Sequence, residues 1–333
     1  MEIKYHSNIL GIGAYLPEQR VRTSELMDEV KPERFGIPSG FIENRIGIIE
    51  RRISDAEILP SDMAIQAGNV ALQDAGINPQ DIDCVIFCGI DGDWCEPATA
   101  HRVQAKLNLI NAFCFDTSNA CNGFMTGLLL ADSMIKAGQI ETALVVTGEK
   151  SSRVMFNIMR QLKNCTDNVT FRNKLGALTL GDAGGAMVVS KSNNGSGFLN
   201  FSSISDGKLA EQCFYKWTEN GDVDGQMLMR DICKDQMHYQ SVLIGNTYNI
   251  LNWTPDDVDR LICHQMGRKP LENAAKITGV SLLKATKTYD YYGNVASASV
   301  PINFFLFPPT SGTKLLLLGM GSGLSVILAG LTF

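Results

Sequence analysis

One of the nine cysteines, Cys121, lies where a thiol could act as a nucleophile. The surrounding sequence, DTSNACNGF, predicts a strand that ends near Asp116, a short polar turn, and an apolar helix that begins at about Gly123. The free N–H groups at the start of a helix favour a thiolate, so this pattern predicts a lowered pKa and a more reactive sulfur. A buried structural cysteine is the alternative, and these residues alone leave both open.

A histidine and an asparagine are candidates for holding a substrate carbonyl. His264 follows the apolar segment RLIC, so we expect it at the C-terminal end of a strand, where the sites of parallel sheets gather. Asn294 follows Gly293, which permits a tight turn. The alternatives are a structural histidine that only makes hydrogen bonds and an asparagine that only completes the turn.

The glycine-rich segment LGMGSGLS (318–325) is predicted to turn between two strands. It is not expected to hold a phosphate, because no GK[ST] motif and no helical pattern follow it. We expect a backbone N–H of this turn to be directed at an oxyanion instead.

The elements that must position these residues occur twice along the chain. Residues 78–88 (NPQDIDCVIFC) and 254–264 (TPDDVDRLICH) each combine a proline-started acidic turn with an apolar strand. Helical patterns precede them, at about Met63–Ala75 and about Tyr239–Asn252. Three further pairs follow in the same order, namely 113–123 with 288–298, 143–149 with 315–321, and 185–192 with 325–332. Four elements in register indicate an internal duplication.

Short apolar strands that alternate with helices predict an α/β fold with largely parallel sheets covered on both faces. We expect two halves, residues 1–192 with the cysteine and 193–333 with the histidine and the asparagine, packed face to face. The boundary is placed near the polar segment 191–197. Residues 151–175 and Asp206–Asp231 show little strand character and are predicted to cap or line a site.

Composition excludes several classes of protein. The 333 residues are 45% hydrophobic and carry a net charge of −6, which disfavours a disordered chain and a nucleic-acid or anionic-membrane partner. The longest apolar stretches fall short of the roughly 20 residues of a membrane span, and Met1–Tyr5 is charged where a signal peptide is apolar. Without CxxC or zinc-finger spacings, neither a metal nor a disulfide framework is expected. We therefore expect a cytoplasmic protein.

Seven stretches together resemble the β-ketoacyl-acyl-carrier-protein synthase III group of the thiolase superfamily, and the resemblance spans nearly the whole chain. They are GIGAYLPEQRVRTSEL (11–26), RIGIIERR (45–52), FDTSNACNGF (115–124), GDAGGAMVV (181–189), ICHQMGRK (262–269), YGNVASASVP (292–301) and GMGSG (319–323). The resemblance implies a duplicated, five-layered αβαβα thiolase fold with two mixed, mostly parallel sheets. It also implies a homodimer and no cofactor beyond its thioester substrates.

The resemblance also implies a reaction. Cys121 matches the nucleophile that takes an acyl group from acyl-CoA, with the backbone N–H groups of Cys121 and Ser322 holding the oxyanion. His264 and Asn294 match the pair that receives the carbonyl of a malonyl thioester, delivered by CoA or by acyl carrier protein. Loss of CO₂ and attack on the acyl-cysteine then complete a decarboxylative Claisen condensation.

The resemblance also covers the substrate-binding positions, although some of them hold residues other than the family's usual ones. Phe41 stands where the family usually stacks a tryptophan on the CoA adenine, and Arg45 matches the arginine that accompanies it. After the HQ pair, Met266–Gly267 replaces the usual asparagine-containing continuation, and Gly267 is expected at the pantetheine of CoA. Lys269, with Arg268 adjacent, matches the carrier-protein docking position.

Glu96 falls where the family tends to have an apolar residue that borders the partner subunit's acyl pocket. These departures predict a specialised substrate, polar or short, in secondary metabolism. Three alternatives remain: an acyltransferase that passes the acyl group to an alcohol, amine or thiol without decarboxylation, a non-catalytic partner subunit of a ketosynthase, and a 3-hydroxy-3-methylglutaryl synthase type. The last needs a glutamate base, for which Glu50 and Glu149 are candidates by residue type alone.

Overall fold

The computed structural model describes residues 6–192 and 196–333. Its strands are β1 (His6–Tyr15), β2 (Gln19–Arg22), β3 (Glu50–Ile53), β4 (Cys84–Phe87), β5 (Phe113–Asp116), β6 (Thr142–Lys150), β7 (Asp182–Ser192), β8 (Gly197–Ser205), β9 (Cys213–Trp217), β10 (Val223–Met227), β11 (Arg260–Cys263), β12 (Lys314–Gly321) and β13 (Ser325–Thr332). Its α-helices are α1 (Thr23–Val30), α2 (Pro60–Ala75), α3 (Thr99–Lys106), α4 (Gly123–Lys136), α5 (Ser152–Lys163), α6 (Asn168–Lys174), α7 (Met229–Leu251), α8 (Arg268–Thr278), α9 (Tyr289–Tyr292) and α10 (Ser299–Leu306).

Two mixed sheets form the framework. The first has the strand order β1-β7-β6-β4-β5 and the second the order β11-β12-β13-β8. Parallel pairing joins β6 to β4, β4 to β5, and β11 to β12, whereas the other pairs within these two sheets are antiparallel. The expectation of mostly parallel sheets is therefore corrected. A short turn joins β12 directly to β13, and such a connection can join only antiparallel neighbours.

The duplication predicted from the sequence is confirmed for most of its elements. Strands β4, β6 and β7 recur as β11, β12 and β13 at equivalent places in the two sheets, and α2 and α7 precede the two copies. The pair 113–123 and 288–298 differs, because β5 has no full counterpart. In the second half, a single bridge between Leu261 and Ala285 extends the sheet. The chain then turns into α9, where the Ile49 N–H donates to the carbonyl of Asp290 at 2.8 Å.

The layers follow from where apolar side chains are buried. Helices α4 and α10 lie between the two sheets and share a core with both, including Phe124, Leu128, Phe304 and Leu317. Helices α2 and α3 cover the outer face of the first sheet, and α7 and α8 pack with the second. Each such side chain contributes about 1.5–3 kcal/mol by leaving water. The result is the predicted αβαβα arrangement.

Gly319 allows α4 to approach the second sheet closely. An ideal Cβ at this position would lie 2.0 Å from Oδ1 of Asn122 and 2.6 Å from Cγ of Met125. Only a residue without a side chain therefore fits beside the first turn of α4. This contact places the segment before α4, which includes Cys121, against the second half of the molecule.

The two segments predicted to lack strands differ from each other. Residues 151–175 contain α5 and α6, as their low strand character suggested. Residues 206–231 contain the antiparallel hairpin β9–β10, so the expectation of little strand character is wrong there. The hairpin turns through Gly221, whose φ of +77° favours glycine. The predicted boundary at 192/193 adjoins residues 193–195, which lie outside the described residues, as do residues 1–5.

Across the described ranges, no helix is long and apolar enough to cross a membrane.

Candidate active site

A cavity of about 550 Å³ brings the three candidate residues together. Cys121, His264 and Asn294 all line it, although they come from different halves of the chain. Ser322, from the turn between β12 and β13, lines the same cavity. The face-to-face packing expected from the duplication therefore produces one shared site.

Cys121 lies at the predicted elbow between a strand and a helix. The carboxylate of Asp116 ends β5 and accepts hydrogen bonds from the N–H groups of Thr99 (2.7 Å) and Ala100 (2.8 Å). Ala120 then adopts a φ of +47°, a left-handed conformation that costs a non-glycine residue about 1–2 kcal/mol. Such strain is often found where a side chain must be presented to a substrate. The elbow places the sulfur at the cavity immediately before α4.

The electrostatics of this thiol differ from the prediction. Burial raises the pKa of Cys121 well above its ordinary value, and the hydrogen bond from its own backbone N–H lowers it by less. The expectation of a lowered pKa at the helix start is therefore wrong. Desolvation penalises the thiolate more than the backbone dipoles stabilise it.

His264 is held in place by its backbone N–H and by one nitrogen of its ring. Its backbone N–H donates to the carbonyl of Leu318 at 2.9 Å, which continues the pairing of β11 with β12. Nδ1 lies 3.1 Å from Oγ of Ser299 at the start of α10. Nε2 is buried and has no hydrogen-bond partner among the described residues. Burial lowers the pKa of this histidine to about 4, so the ring is neutral at neutral pH.

Asn294 is fixed at its backbone and at its carboxamide oxygen. Its N–H donates to the carbonyl of Thr179 (2.8 Å), and its carbonyl accepts from Gly181 (3.0 Å). Its Oδ1 accepts from the N–H of Ala296 at 3.0 Å. These contacts leave the amide NH₂ as the group that can donate to a ligand.

Cationic and aromatic side chains surround the outer part of the cavity. Phe41 and Arg45 line it, as does Lys269. Phe41, Arg45 and Arg172 also line an adjoining cavity of about 370 Å³. Sequence reasoning missed Arg172, and the only signal was its place in the segment 151–175 that was predicted to line a site.

Three predicted binding residues do not line either cavity. Gly267 has a φ of +135°, and an ideal Cβ there would lie 2.5 Å from Cγ2 of Ile46, so the backbone requires a glycine at this point. Arg268 donates to the carbonyl of Asn44 at 3.1 Å. Glu96 is exposed on the loop before α3. Their expected roles stay predictions.

The two glutamates considered as general bases lie elsewhere. Glu50 forms an ion pair with Arg20 at 3.3 Å. Glu149 is buried and accepts a hydrogen bond from the Ser297 hydroxyl. Neither lines the cavity.

Two inner residues of the cavity also went unnoticed in the sequence. Cys213 comes from β9, and Gln236 comes from α7. The segment 206–231, predicted to line a site, includes the first of them but gives no sign of the second. In the part of the chain that is described, no group of three or more His, Cys, Asp or Glu side chains could hold a metal ion.

Comparison with known proteins supports one family throughout. The model of 3-oxoacyl-[acyl-carrier-protein (ACP)] synthase III matches residues 115–207, and the model of its C-terminal part matches residues 249–332. A beta-ketoacyl-[acyl-carrier-protein] synthase III from Paramagnetospirillum magneticum is 30% identical over 307 residues, which are 89% of this chain and 88% of that protein. The one from Staphylococcus saprophyticus is 30% identical over 323 residues, covering 95% and 96%.

Solved structures of OleA from Xanthomonas campestris share the fold. One superposes with a TM-score of 0.92 at 26% identity and covers 100% of both chains. Another, a variant of OleA with bound lauric acid and lauroyl-CoA, superposes with a TM-score of 0.91 at 26% identity, covering 98% of this chain and 99% of that one.

Proposed function

This chain belongs to the 3-oxoacyl-[acyl-carrier-protein] synthase III family of thiolase-fold condensing enzymes, and from that premise we propose that it makes an acyl-cysteine and extends it with a malonyl thioester. The observation that carries the proposal is the convergence of Cys121, His264 and Asn294 on one cavity. A non-catalytic partner subunit would need none of these side chains there.

In the first half-reaction, the sulfur of Cys121 attacks the carbonyl of an acyl-CoA. The S–C bond to the enzyme forms, the S–C bond to CoA breaks, and the proton of the cysteine thiol leaves on the released CoA. We assign the oxyanion to the backbone N–H groups of Cys121 and Ser322, because fixed donors stabilise developing charge without reorganisation.

In the second half-reaction, His264 and Asn294 hold the carbonyl oxygen of a malonyl thioester. We assign the Ser299 hydroxyl, 3.1 Å from Nδ1 of His264, as the donor to that nitrogen, which leaves the ring proton on Nε2. The malonyl group loses CO₂, its enolate carbon bonds to the acyl carbon, and the C–S bond to Cys121 breaks. The released sulfur takes a proton from water, which restores the thiol. Neutral donors suit this step, since a buried imidazole whose pKa is lowered to about 4 does not protonate the enolate carbon.

The outer part of the cavity suits the carrier of the thioester. Phe41 can stack on an adenine, and Arg45 with Arg172 can pair with phosphates of CoA. We propose Lys269, which lines the cavity, with Arg268 beside it in the chain, as the docking position for an acyl carrier protein. We propose acyl-CoA and a malonyl thioester as substrates, no further cofactor, a homodimer, and a place in the reducing cytoplasm.

Intact-mass measurement after incubation with a panel of acyl-CoAs tests the first half-reaction. The wild type should gain the mass of the acyl group, and Cys121→Ala should not. Cys213→Ala is the matched control, because it removes another thiol from the same cavity and should still be acylated. A mass gain that persists in Cys121→Ala would defeat the proposal.

Release of CO₂ from malonyl-CoA or a malonyl carrier protein tests the second half-reaction. His264→Ala and Asn294→Ala should still be acylated but should lose malonate-dependent CO₂ release. Turnover of the acyl-enzyme by an alcohol, amine or thiol without CO₂ would favour the plain acyltransferase instead.

A further inference from the structure

The two backbone N–H groups assigned to the oxyanion belong to different halves of the chain. Cys121 lies just before α4, whereas Ser322 lies in the turn 322–324 between β12 and β13. Donors of this kind are effective only when both reach the developing charge at hydrogen-bond distance. The separation between the segment that carries Cys121 and the turn that carries Ser322 must therefore be fixed by contacts between the two halves.

Ser325 joins these two segments. It closes the turn, because it pairs with Gly321 at the end of the antiparallel ladder of β12 and β13. Its Oγ accepts a hydrogen bond from Nδ2 of Asn122 at 3.1 Å and donates one to Oδ1 of Asn119 at 3.2 Å. These two asparagines stand on either side of Cys121 in the chain. One hydroxyl thus holds both flanks of the nucleophile to the base of the turn.

The hydrogen bonds around Ser325 form a closed ring. Nδ2 of Asn119 donates to Oγ1 of Thr126 at 2.9 Å, and that hydroxyl donates to the carbonyl of Asn122 at 2.9 Å. Each of the two hydroxyls in the ring therefore donates once and accepts once. Ser325 is 4% exposed and Asn122 is fully buried, so bulk water does not compete for these bonds. Ser325 is the member of the ring that comes from the second half of the chain.

Gly321 gives an independent view of the same contact. An ideal Cβ there would lie 2.9 Å from the carbonyl oxygen of Asn119, 3.0 Å from Cβ of Asn122 and 3.0 Å from Oγ of Ser325. The end of β12 therefore packs directly against the residues that flank Cys121. Closely packed contacts of this kind transmit a small shift of one segment to the other.

We propose that Ser325 is a positioning residue for acylation, whose hydroxyl holds the N–H groups of Cys121 and Ser322 at the separation that the oxyanion requires. Ser325 does not line the cavity, so it acts through the two segments that it joins. This inference rests on the proposed function, because it concerns the oxyanion of the same acylation step.

Two reactions of Cys121 separate this role from a merely structural one. Acylation by a thioester places negative charge on the carbonyl oxygen and needs both N–H groups. Alkylation by iodoacetamide needs only the sulfur: the S–C bond forms at a saturated carbon, the C–I bond breaks, iodide leaves, and the thiol proton goes to solvent. A disturbed oxyanion hole therefore slows acylation alone, whereas a displaced sulfur or a loosened fold changes the rates of both reactions.

The experiment measures both reactions in the same variants and locates the modified cysteine by peptide mass. The acylating probes are acetyl-CoA, hexanoyl-CoA and dodecanoyl-CoA, each at several concentrations, so that the limiting rate is separated from KM. Ser325→Ala removes the hydroxyl, Ser325→Thr keeps it, and Asn119→Ala breaks the ring from the other half. Ser202→Ala is the matched control, because Ser202 is a buried serine of β8 in the same sheet whose Oγ accepts from Asn200.

We expect Ser325→Ala to lower the limiting rate of acylation by about 30- to 100-fold and to change KM by less than about threefold, because the oxyanion donors act in the transition state. The rate of alkylation of Cys121 should stay within about twofold. Asn119→Ala should show the same selective loss to a smaller extent. Ser325→Thr and Ser202→Ala should behave like the wild type.

Three results would overturn the inference: unchanged acylation in Ser325→Ala, an equal fall of acylation and alkylation in that variant, or a selective loss of the same size in Ser325→Thr. If Ser325→Ala does not fold, Asn119→Ala decides by the first two of these criteria. Absence of acylation of the wild type by all three probes would instead contradict the proposed function itself.

Discussion

At the scale of single residues, the raised pKa of the Cys121 thiol sets the pH dependence of acylation. Only the thiolate is strongly nucleophilic, and below the pKa its fraction rises tenfold with each pH unit. The rate of acylation by acyl-CoA should therefore keep rising between pH 6 and pH 9. The pKa of His264, lowered to about 4, adds no titration in that range. Stopped-flow or quenched mass measurement of the acyl-enzyme checks this, and a plateau near pH 7 would show a lowered thiol pKa instead.

Glu149 predicts a second pH effect, on stability. Burial raises the pKa of this carboxyl from its ordinary 4.5 to about 8, so the folded protein holds a proton there that the unfolded chain releases. Its contribution to stability is complete below pH 4.5 and is lost as pH rises through 8. Glu149→Gln imitates the protonated carboxyl. The free energy of unfolding of this variant should therefore increase relative to that of the wild type as pH rises.

Urea unfolding at pH 5, 7 and 9 measures this difference. Glu211→Gln, which removes an exposed carboxylate on the β9–β10 side, is the matched control. Parallel stability curves for Glu149→Gln and the wild type would contradict the prediction.

Residue-scale prediction succeeded where a side chain has a local signature. Cys121 stands at an elbow that its neighbours specify, and His264 follows a strand, so their places could be predicted. The direction of the Cys121 pKa could not be predicted, because burial in the folded molecule raises it and groups distant in sequence, such as Cys213 of β9, add to the effect. Gln236 and Arg172 carry no local signature at all, and only the folded cavity reveals them.

At the scale of elements, the contact between β12 and α4 should control the nucleophile. Gly319→Ala would place a methyl group 2.0 Å from Oδ1 of Asn122, at the residue that follows Cys121. The first turn of α4 must then shift, so we expect acylation to fall at least tenfold and stability to fall by about 1–3 kcal/mol. Acylation kinetics on protein with a wild-type circular dichroism spectrum separate the two effects.

Gly245→Ala is the control for this change. Gly245 lies exposed in α7, where an added Cβ meets nothing within 4 Å. It should raise stability by about 0.5–1 kcal/mol and leave acylation unchanged. Wild-type acylation by Gly319→Ala would mean that this contact does not position Cys121.

Element prediction failed where pairing is decided across the fold. The repeat suggested a strand at 288–298, but the backbone there bonds to Ile49 of the first half and forms α9. The hairpin β9–β10 escaped notice because most side chains of its two strands are half-buried or exposed. Hydrophobic periodicity in a sequence arises when one face of a strand or helix is buried. Elements without a buried face are therefore hard to predict from it.

At the scale of the whole molecule, the site exists only where the two halves meet. The core between the sheets combines Phe124 and Leu128 of the first half with Ile262 and Leu317 of the second. The same packing that stabilises the halves brings the sulfur, the imidazole and the carboxamide to one cavity. Stability and activity are therefore coupled through this shared layer.

The edge of the first sheet predicts the association of two copies. Among the described strands, β5 has β4 as its only neighbour, and it presents Phe113 with 66% of its surface exposed. Ile110, three residues before Phe113, and Trp94, on the loop that carries Glu96, are also exposed. An uncovered apolar edge strand invites pairing with another chain. We expect a homodimer in light scattering, at twice 36.4 kDa.

Phe113→Asp should shift that dimer to a monomer, because a carboxylate would be buried against the partner copy. Leu283→Asp, at a position that is 97% exposed between α8 and α9, should leave the dimer intact.

The loop that carries Glu96 adjoins the end of β5 through the hydrogen bond from the Thr99 N–H to the carboxylate of Asp116. If a second copy brings this loop to its partner's acyl pocket, Glu96→Phe should change the acyl-CoA preference of the dimer. An unchanged preference in a dimeric Glu96→Phe protein would remove Glu96 from the pocket, and a monomeric wild type would remove the dimer itself.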